Sequence, residues 1–127
     1  MILNLTQHAA TLEQIEAGVV DLDAVKRSQL QKLLTFDAIP SAVDVMSRAL
    51  GIAEMAKAEN CKKAMIGGAP FLMSALEDAL DAALISAVYA FSQRVSVESV
   101  SADGTVTKVN VFKHVGFVDV SRCQSRA

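Results

Sequence analysis

Three short segments carry the residues that could do chemistry, and each follows an apolar run. They are Thr6-Gln7-His8, Gly67-Gly68-Ala69-Pro70 and Ser92-Gln93-Arg94. In open α/β sheets, ligands bind beyond the carboxyl ends of the strands, where the strand order switches. Because each segment is polar or glycine-rich and follows a predicted strand, we expect the three to meet at one site.

His8 and Arg94 have the clearest chemical uses among these side chains. An imidazole titrates near neutral pH and can act as a general acid or base. A guanidinium can hold a phosphate through its planar fork. Two structural interpretations stay open beside these: His8 as a surface residue that caps a turn, and Arg94 as a strand charge paired with Glu98.

Thr6, Gln7 and Ser92 offer short polar donors, although such residues commonly bond within their own turns. A second histidine, His114, lies beside Lys113 in a predicted strand. Neighbouring strand residues point to opposite faces, so only one of the two is expected to face a given ligand. The alternative for His114 is a half-buried sheet residue.

The Gly67-Gly68-Ala69-Pro70 segment reads as a tight turn into a helix. Glycine permits positive φ and close approach of another group, and proline suits the first helical turn. The free N–H groups of a helix start favour anions, although many such turns are purely structural. We find no carboxylate–histidine cluster with metal spacing and no Walker, G-x-G-x-x-G or G-x-S-x-G motif, so the sequence predicts no metal and no cofactor.

Composition indicates a globular protein: 127 residues, 52% of them hydrophobic and 20% charged. The net charge of −2 argues against binding long nucleic acid. Residues 86–127 nevertheless hold five Lys/Arg and three Asp/Glu, which leaves a small anion a locally positive region.

Cys61 and Cys123 show neither metal spacing nor a disulfide framework and are expected to be free thiols. The N-terminus has no basic region with an apolar stretch, and no run of about 18 apolar residues occurs. These features predict a cytoplasmic protein without a membrane segment.

Apolar periodicity and caps divide the chain into alternating strands and helices. Helices are expected over about 12–17, from Asp23 onward, over about 42–58 and over about 70–83, with capping signals at Thr11, Asp23 and Ser41. Strands are expected at 2–6, at 19–22, before Gly67 and over 85–92, the last of them buried on both faces. The apolar helix stripes include Val25, Met46 and Leu50.

A β-hairpin is expected at the C-terminal end, with strands over 94–101 and 105–118 about Ala102-Asp103-Gly104. Pairing about this turn places Arg94 near Lys113 and Gln93 near His114, with a bulge between Val97 and Val100. The whole pattern predicts a mostly parallel sheet with right-handed crossovers and an antiparallel edge. It forms one domain over 1–121, followed by a loose tail over 122–127.

Two stretches resemble one class of small CRISPR-associated Rossmann-like proteins. The first is Leu3-Asn4-Leu5-Thr6-Gln7-His8 with Thr11 and Glu13-Gln14. The second runs from Val88-Tyr89-Ala90-Phe91-Ser92-Gln93-Arg94 to Val111-Phe112-Lys113-His114-Val115 and Phe117, with the Gly67-Gly68 turn between the two stretches. Residues 23–60 carry almost none of the resemblance. It implies an α/β, Rossmann-like, mostly parallel sheet with helices on both faces and a C-terminal antiparallel β-hairpin.

The same resemblance implies a homodimeric ring nuclease that binds and cuts a cyclic oligoadenylate messenger and so ends antiviral signalling. Its candidate residues, carried over by position, are His8, Arg94 and His114 for catalysis and Thr6, Gln7, Gly67, Gly68, Ser92 and Lys113 for ligand binding. Gly116, Phe117, Val118 and Asp119 stand where the resemblance implies a more basic end. The alternatives are a module that binds or sequesters a nucleotide without cutting it, and an interaction protein of a mobile element.

Overall fold

The computed structural model describes residues 1–121, and all five of its strands form one sheet in the order β2-β1-β3-β4-β5. The first four strands are parallel and β5 is antiparallel to β4. The elements in chain order are β1 (Ile2–Asn4), α1 (Leu12–Glu16), β2 (Val19–Asp21), α2 (Ala24–Leu34), α3 (Ala42–Ala58), β3 (Lys63–Met65), α4 (Pro70–Ala82), β4 (Ser86–Val100) and β5 (Val106–Asp119). The predicted α/β fold is confirmed. The predicted tail and Cys123 lie outside the described residues.

Local signals set the helix ends. Thr11 forms a capping box with Gln14, and the side chains of Asp23 and Ser41 accept hydrogen bonds from the first turns of α2 and α3. Each cap satisfies a backbone N–H that has no partner within its helix. These predicted helix starts are therefore confirmed.

The helices cover the two faces of the sheet unequally. The chain moves from β1 to β2 in one direction and from β2 to β3 and β4 in the other, so right-handed crossovers place α1 on one face and the other helices on the opposite face. The main core lies between the sheet and α2, α3 and α4. On the α1 face the buried cluster is only Val19, Met65 and Val88, and α1 contributes no buried residue.

Three apolar residues predicted to line helix stripes are exposed instead. Val25 is 70% exposed, Met46 59% and Leu50 57%. The contacts of α3 with the core are made by Ala49, Ile52, Ala53 and Ala56. The side of α3 that carries Met46 and Leu50 therefore faces solvent.

The predicted strand over 85–92 and the first hairpin strand are one continuous strand, β4. No glycine or proline interrupts the chain between Ser86 and Val100, so nothing ends the strand where the other parallel strands stop. The prediction that this strand is buried on both faces is correct only at the start of β4. Ala87 and Val88 are buried there, whereas Ala90 and most residues beyond it are exposed. Residues 91–116 consequently extend past the parallel sheet as a two-stranded ribbon, which we call the arm.

The hairpin turn is confirmed, but the predicted register is wrong by one residue beyond the base of the arm. Arg94 lies opposite Phe112 and Gln93 opposite Lys113. The irregularity lies between Phe91 and Ser92, which face Gly116 and His114, rather than between Val97 and Val100. Neither face of the arm is buried near its tip, so the shift in valine phase there requires no bulge.

Candidate functional site

A cavity of about 640 Å³ opens at the carboxyl ends of β1 and β3, beside Tyr89 and Ala90 of β4 and the start of α1. Five of the nine candidate residues line it: Thr6, Gln7, His8, Gly67 and Gly68. The fold therefore brings together two of the three chemistry-bearing segments, which are about 60 residues apart in the chain. This is the place at which parallel α/β sheets bind ligands.

The loop that carries His8 is held by a buried asparagine, Asn4, which is 4% exposed. The Asn4 amide nitrogen donates to the His8 carbonyl at 2.8 Å and to Asp21 Oδ1 at 2.7 Å. Its oxygen accepts from the Thr6 backbone N–H at 2.9 Å and from the Thr6 hydroxyl at 2.7 Å. All four hydrogen-bonding capacities of the amide are thus used, which fixes the path of the loop.

Asp21 and Thr6 complete this network. The Asp21 carboxylate accepts from the backbone N–H of Ala10 at 3.1 Å. The Thr6 hydroxyl lies within hydrogen-bond reach of both Asn4 Oδ1 and the His8 carbonyl. Its proton is therefore used inside the loop, so Thr6 can offer a ligand only an acceptor. His8 is exposed, on a loop whose backbone is fixed at both ends.

The glycine turn forms the opposite wall of the cavity. Gly68 has φ +148°, a conformation that side chains with a Cβ rarely adopt. A Cβ on Gly67 would meet the Thr6 methyl at 3.6 Å, so the two walls approach each other closely here. Pro70 begins α4, and no side chain caps this helix start. Backbone N–H groups at an uncapped helix start favour an anionic group beside them.

Tyr89 lines the same cavity and was not among the predicted site residues. Its hydroxyl donates to Glu77 Oε2 of α4 at 2.8 Å. Burial is the largest cause that raises the pKa of Tyr89. The hydrogen bond to Glu77 and the negative charge of Glu77 raise this pKa further. The phenol therefore stays neutral at physiological pH. His8 and Tyr89 are the two titratable side chains on the cavity wall.

The candidate residues of the arm lie outside the cavity wall. Ser92 and His114 are opposite each other, two residues beyond Ala90, which lines the cavity. Alternate residues of a strand share a face, so both lie on the cavity side of the sheet, about 7 Å farther along the strand. Lys113 lies on the opposite face from His114.

Arg94 follows Ser92 on the cavity side, about 13 Å along the strand from Ala90. Its guanidinium lies 5.6 Å from the centre of the Phe112 ring. Among residues 1–121 it forms no ion pair with Glu98, whose cross-strand neighbour is Lys108. Arg94 is therefore held by an aromatic ring and not by a carboxylate.

His114 is partly buried, with its ring 5.0 Å from that of Phe117 in an edge arrangement. Its Nδ1 atom is buried and has no hydrogen-bond partner within residues 1–121. The structure thus agrees with the interpretation of His114 as a half-buried sheet residue. It also leaves one ring nitrogen without a fixed role.

A larger cavity of about 830 Å³ lies between the start of α3 and the start of α4. Its wall is mainly apolar and includes Phe36, Ile39 and Phe71. We place the candidate site in the smaller cavity, because that cavity holds polar loops at strand ends. Within residues 1–121, no group of three or more His, Cys, Asp or Glu side chains could hold a metal ion. No helix of that part is long and apolar enough to cross a membrane.

Asn4 and Asp21 stand at positions that the sequence itself marks as unusual. Each is a polar residue at the end of a short apolar strand, and Asn4 stands between Leu3 and Leu5. A polar side chain at such a position is buried and must find partners. The partners themselves come from the pairing of β1 with β2, which places Asn4 opposite Asp21.

Comparison with protein-family models matches residues 1–118 to the Uncharacterized protein MJ1673 family. Comparison with curated proteins and with solved structures returned no match. Because the match spans nearly the whole chain, the protein belongs to the MJ1673 family.

Proposed function

We propose that the cavity binds a small nucleotide of the cyclic oligoadenylate type and cleaves it without a metal ion, as a ring nuclease of antiviral signalling. One observation carries the proposal: His8, the loop from Thr6 and the Gly67-Gly68 turn line one cavity at the strand ends. The resemblance to CRISPR-associated Rossmann-like proteins rests on these same segments. The proposed setting is the cytoplasm, and the proposed working form is a homodimer.

Cleavage of such a ring needs a ribose 2′-hydroxyl to attack the adjacent phosphate in line. The protein then contributes positioning, proton transfer and stabilisation of negative charge. His8 is the proton-transfer group, because the Tyr89 hydroxyl stays protonated and is hydrogen-bonded to Glu77. The glycine turn and the uncapped start of α4 receive the phosphate.

The arm residues act at the outer edge of the same ligand in this proposal. Ser92, His114 and Arg94 share the cavity side of β4 and β5 and extend away from Ala90. A ring of several nucleotides is longer than one cavity, so its outer phosphates reach the Arg94 cation. A two-fold dimer offers a symmetric ring two such sets of residues.

A second candidate function is a module that binds a nucleotide without cutting it. The arrangement of the cavity favours it, because His8 is the one imidazole on the described cavity wall and has no second acid or base beside it there. The hydroxyl protons of Thr6 and Tyr89 are already used. Binding needs only the walls that the structure provides.

Cyclic tetra-adenylate, incubated with the protein and EDTA and then analysed by chromatography, tests the two candidates. We expect a linear product, and we expect His8→Ala to slow its formation by about 100-fold or more, as loss of a general acid or base does. Binding measured by calorimetry should change little in this variant. Arg94→Ala should weaken binding, whereas its control Lys108→Ala, a cation farther out on the arm, should not.

If no linear product forms at stoichiometric enzyme but binding is saturable, the protein binds the nucleotide without cutting it, as the second candidate function states. Neither product nor binding would exclude this ligand for both functions. Cleavage that is unchanged in His8→Ala would remove His8 from the mechanism.

A further inference from the structure

The middle of the arm is apolar on one face and mostly polar on the other. Cross-strand partners share a face, and the rungs alternate between the two faces. One face carries two successive valine rungs, formed by Val95 with Val111 and by Val97 with Val109. The other face carries Ser92, His114, Arg94, Phe112, Ser96, Asn110, Glu98 and Lys108, and at the tip of the arm Val100 and Val106. We call the face with the two valine rungs the valine face.

The valine face has no partner within residues 1–121. Val97 is 46% exposed, Val109 48% and Val111 42%. No residue of 91–116 belongs to either hydrophobic cluster of the described residues. An isolated two-stranded ribbon is only marginally stable in water and needs another strand pair or a helix against its apolar face. A ribbon about 33 Å long therefore requires an external partner.

We propose that this partner is the valine face of a second copy of the same chain, so that two arms pack face to face about a two-fold axis. The valine rungs lie midway between two polar rungs, Gln93 with Lys113 and Ser99 with Thr107. A two-fold axis through the centre of the valine rungs therefore places valines on valines. Such an isologous contact is closed, and it makes a dimer rather than a fibre.

Charge selects the antiparallel arrangement of the two arms. From the rung of Gln93 with Lys113 to the rung of Ser99 with Thr107, Lys113 is the one charged residue on the valine face. In the antiparallel arrangement it lies over Ser99 and Thr107 of the second copy. A parallel arrangement would hold the two Lys113 ammonium groups at the same level of the packed arms, one strand apart, which is unfavourable.

The area of the contact is sufficient for a specific dimer. Each valine face is about 33 Å long and two strands wide, and it continues toward the base of the arm through Phe91, which is 48% exposed. Two such faces bury on the order of 1,000 Å² together, the lower limit of a specific interface. This dimer leaves the cavity side of each arm on the outside, so it is a different contact from one that would bring two cavities around a single ring, and it holds whether or not the cavity cleaves a nucleotide.

Light scattering of the full chain over a range of concentrations tests the proposal. We expect twice the chain mass of 13.5 kDa for the natural protein. Val97→Lys should give the monomer mass, whereas Ser96→Lys, its matched control on the opposite face, should remain dimeric. Circular dichroism of both variants checks that the core is folded.

A second variant covers the case in which Val97→Lys disturbs the hairpin itself. Replacing residues 94–112 by Asn-Gly joins Gln93 to its partner Lys113 through a two-residue turn. This armless variant should be a folded monomer. A natural chain that is monomeric at every concentration overturns the proposal, and so does an armless variant that is still a dimer.

The arrangement of the arms has its own measurement. With Cys123→Ser and a spin label at Ala102→Cys, the two arm tips should lie about 45 Å apart in the antiparallel dimer. A separation under about 20 Å would mean parallel arms and would contradict the antiparallel packing. Nucleotide cleavage is measured separately with the cavity variants, so the failure of one proposal is distinguishable from that of the other.

Discussion

Asn4 is the residue that most strongly determines the shape of the candidate site. Its amide makes four hydrogen bonds, two to Thr6 and one each to the His8 carbonyl and to Asp21. Buried polar groups stabilise a fold only when they are paired, and the loss of one partner leaves the others unsatisfied. A single side chain thus connects β1, β2 and the loop that carries His8.

Asn4→Ala should lower the free energy of unfolding by about 2–4 kcal/mol, because it leaves several polar groups of the loop without partners. It should also abolish ligand binding, since the loop loses its fixed path. Urea denaturation and calorimetry measure the two effects. Asn110→Ala on the exposed arm is the control and should change stability by less than about 0.5 kcal/mol. An Asn4→Ala variant as stable as this control would contradict the role of the network.

Tyr89 gives a direct spectroscopic measurement, because it is the single tyrosine of a chain without tryptophan. Burial and Glu77 raise its pKa above the ordinary value of 10.0. In the folded protein, tyrosinate absorbance should therefore appear only well above pH 10. Glu77→Gln should lower the pKa but leave it raised, because burial is the larger cause. Ordinary titration near 10 in the folded chain would contradict the burial of the phenol.

The same shift makes stability depend on pH in a defined direction. The unfolded chain releases the phenol proton near pH 10, whereas the folded chain keeps it to a higher pH. The stabilisation is complete below pH 10 and is lost as the pH rises through the folded value. Denaturation of the natural protein above pH 10 should therefore show a larger decrease in stability than that of Tyr89→Phe, in which the raised pKa values of Cys61 and Lys26 still act in the same direction.

At the scale of elements, the junction of β3 with α4 has two glycines with different requirements. Gly68 needs glycine for its backbone, since its φ is +148°. Gly67 has no such φ, and a Cβ there would meet Thr6 at an ordinary contact distance of 3.6 Å. One glycine therefore serves the turn, and the other leaves space in the cavity.

Gly68→Ala should lower the free energy of unfolding by about 1–3 kcal/mol through backbone strain. Gly67→Ala should leave stability nearly unchanged and weaken nucleotide binding, because its methyl group enters the space between the cavity walls. Chemical denaturation and calorimetry of both variants separate these effects. An equal loss of stability in the two variants would show that the turn, and not the cavity, requires Gly67.

At the scale of the whole molecule, apolar surface is distributed unevenly. Three helices bury one face of the sheet, while residues 91–116 extend from it with a valine face in solvent. The core of the domain contains no residue of the arm. Folding of the domain and association through the arm are therefore separable.

Dimerisation through the arm should make thermal stability depend on protein concentration, because binding to the native state shifts the folding equilibrium by mass action. The Tm of the natural chain should rise by about 2–4 °C for each tenfold increase in concentration. Scanning calorimetry of the armless variant provides the comparison, and its Tm should stay constant. A constant Tm in both proteins would contradict dimerisation through the arm.

The sequence by itself determined the local features of this protein. The caps at Thr11, Asp23 and Ser41, the glycine turn and the hairpin turn were predicted correctly, because each depends on hydrogen bonds or φ angles within a few residues. The joining of the His8 loop with the glycine turn also followed, since parallel strands bring their carboxyl ends to one edge.

Tertiary structure alone decided the rest. The register of the arm, the four partners of Asn4, the contact of Tyr89 with Glu77 and the exposure of Met46 and Leu50 all depend on residues distant in the chain. Local patterns give the period of a strand but not its pairing partner, and they mark an apolar face without saying what covers it. For that reason the sequence predicted that the His8 loop meets the glycine turn, while only the structure showed that Ser92 and Arg94 lie outside the cavity wall, on a strand that continues into an arm with a valine face.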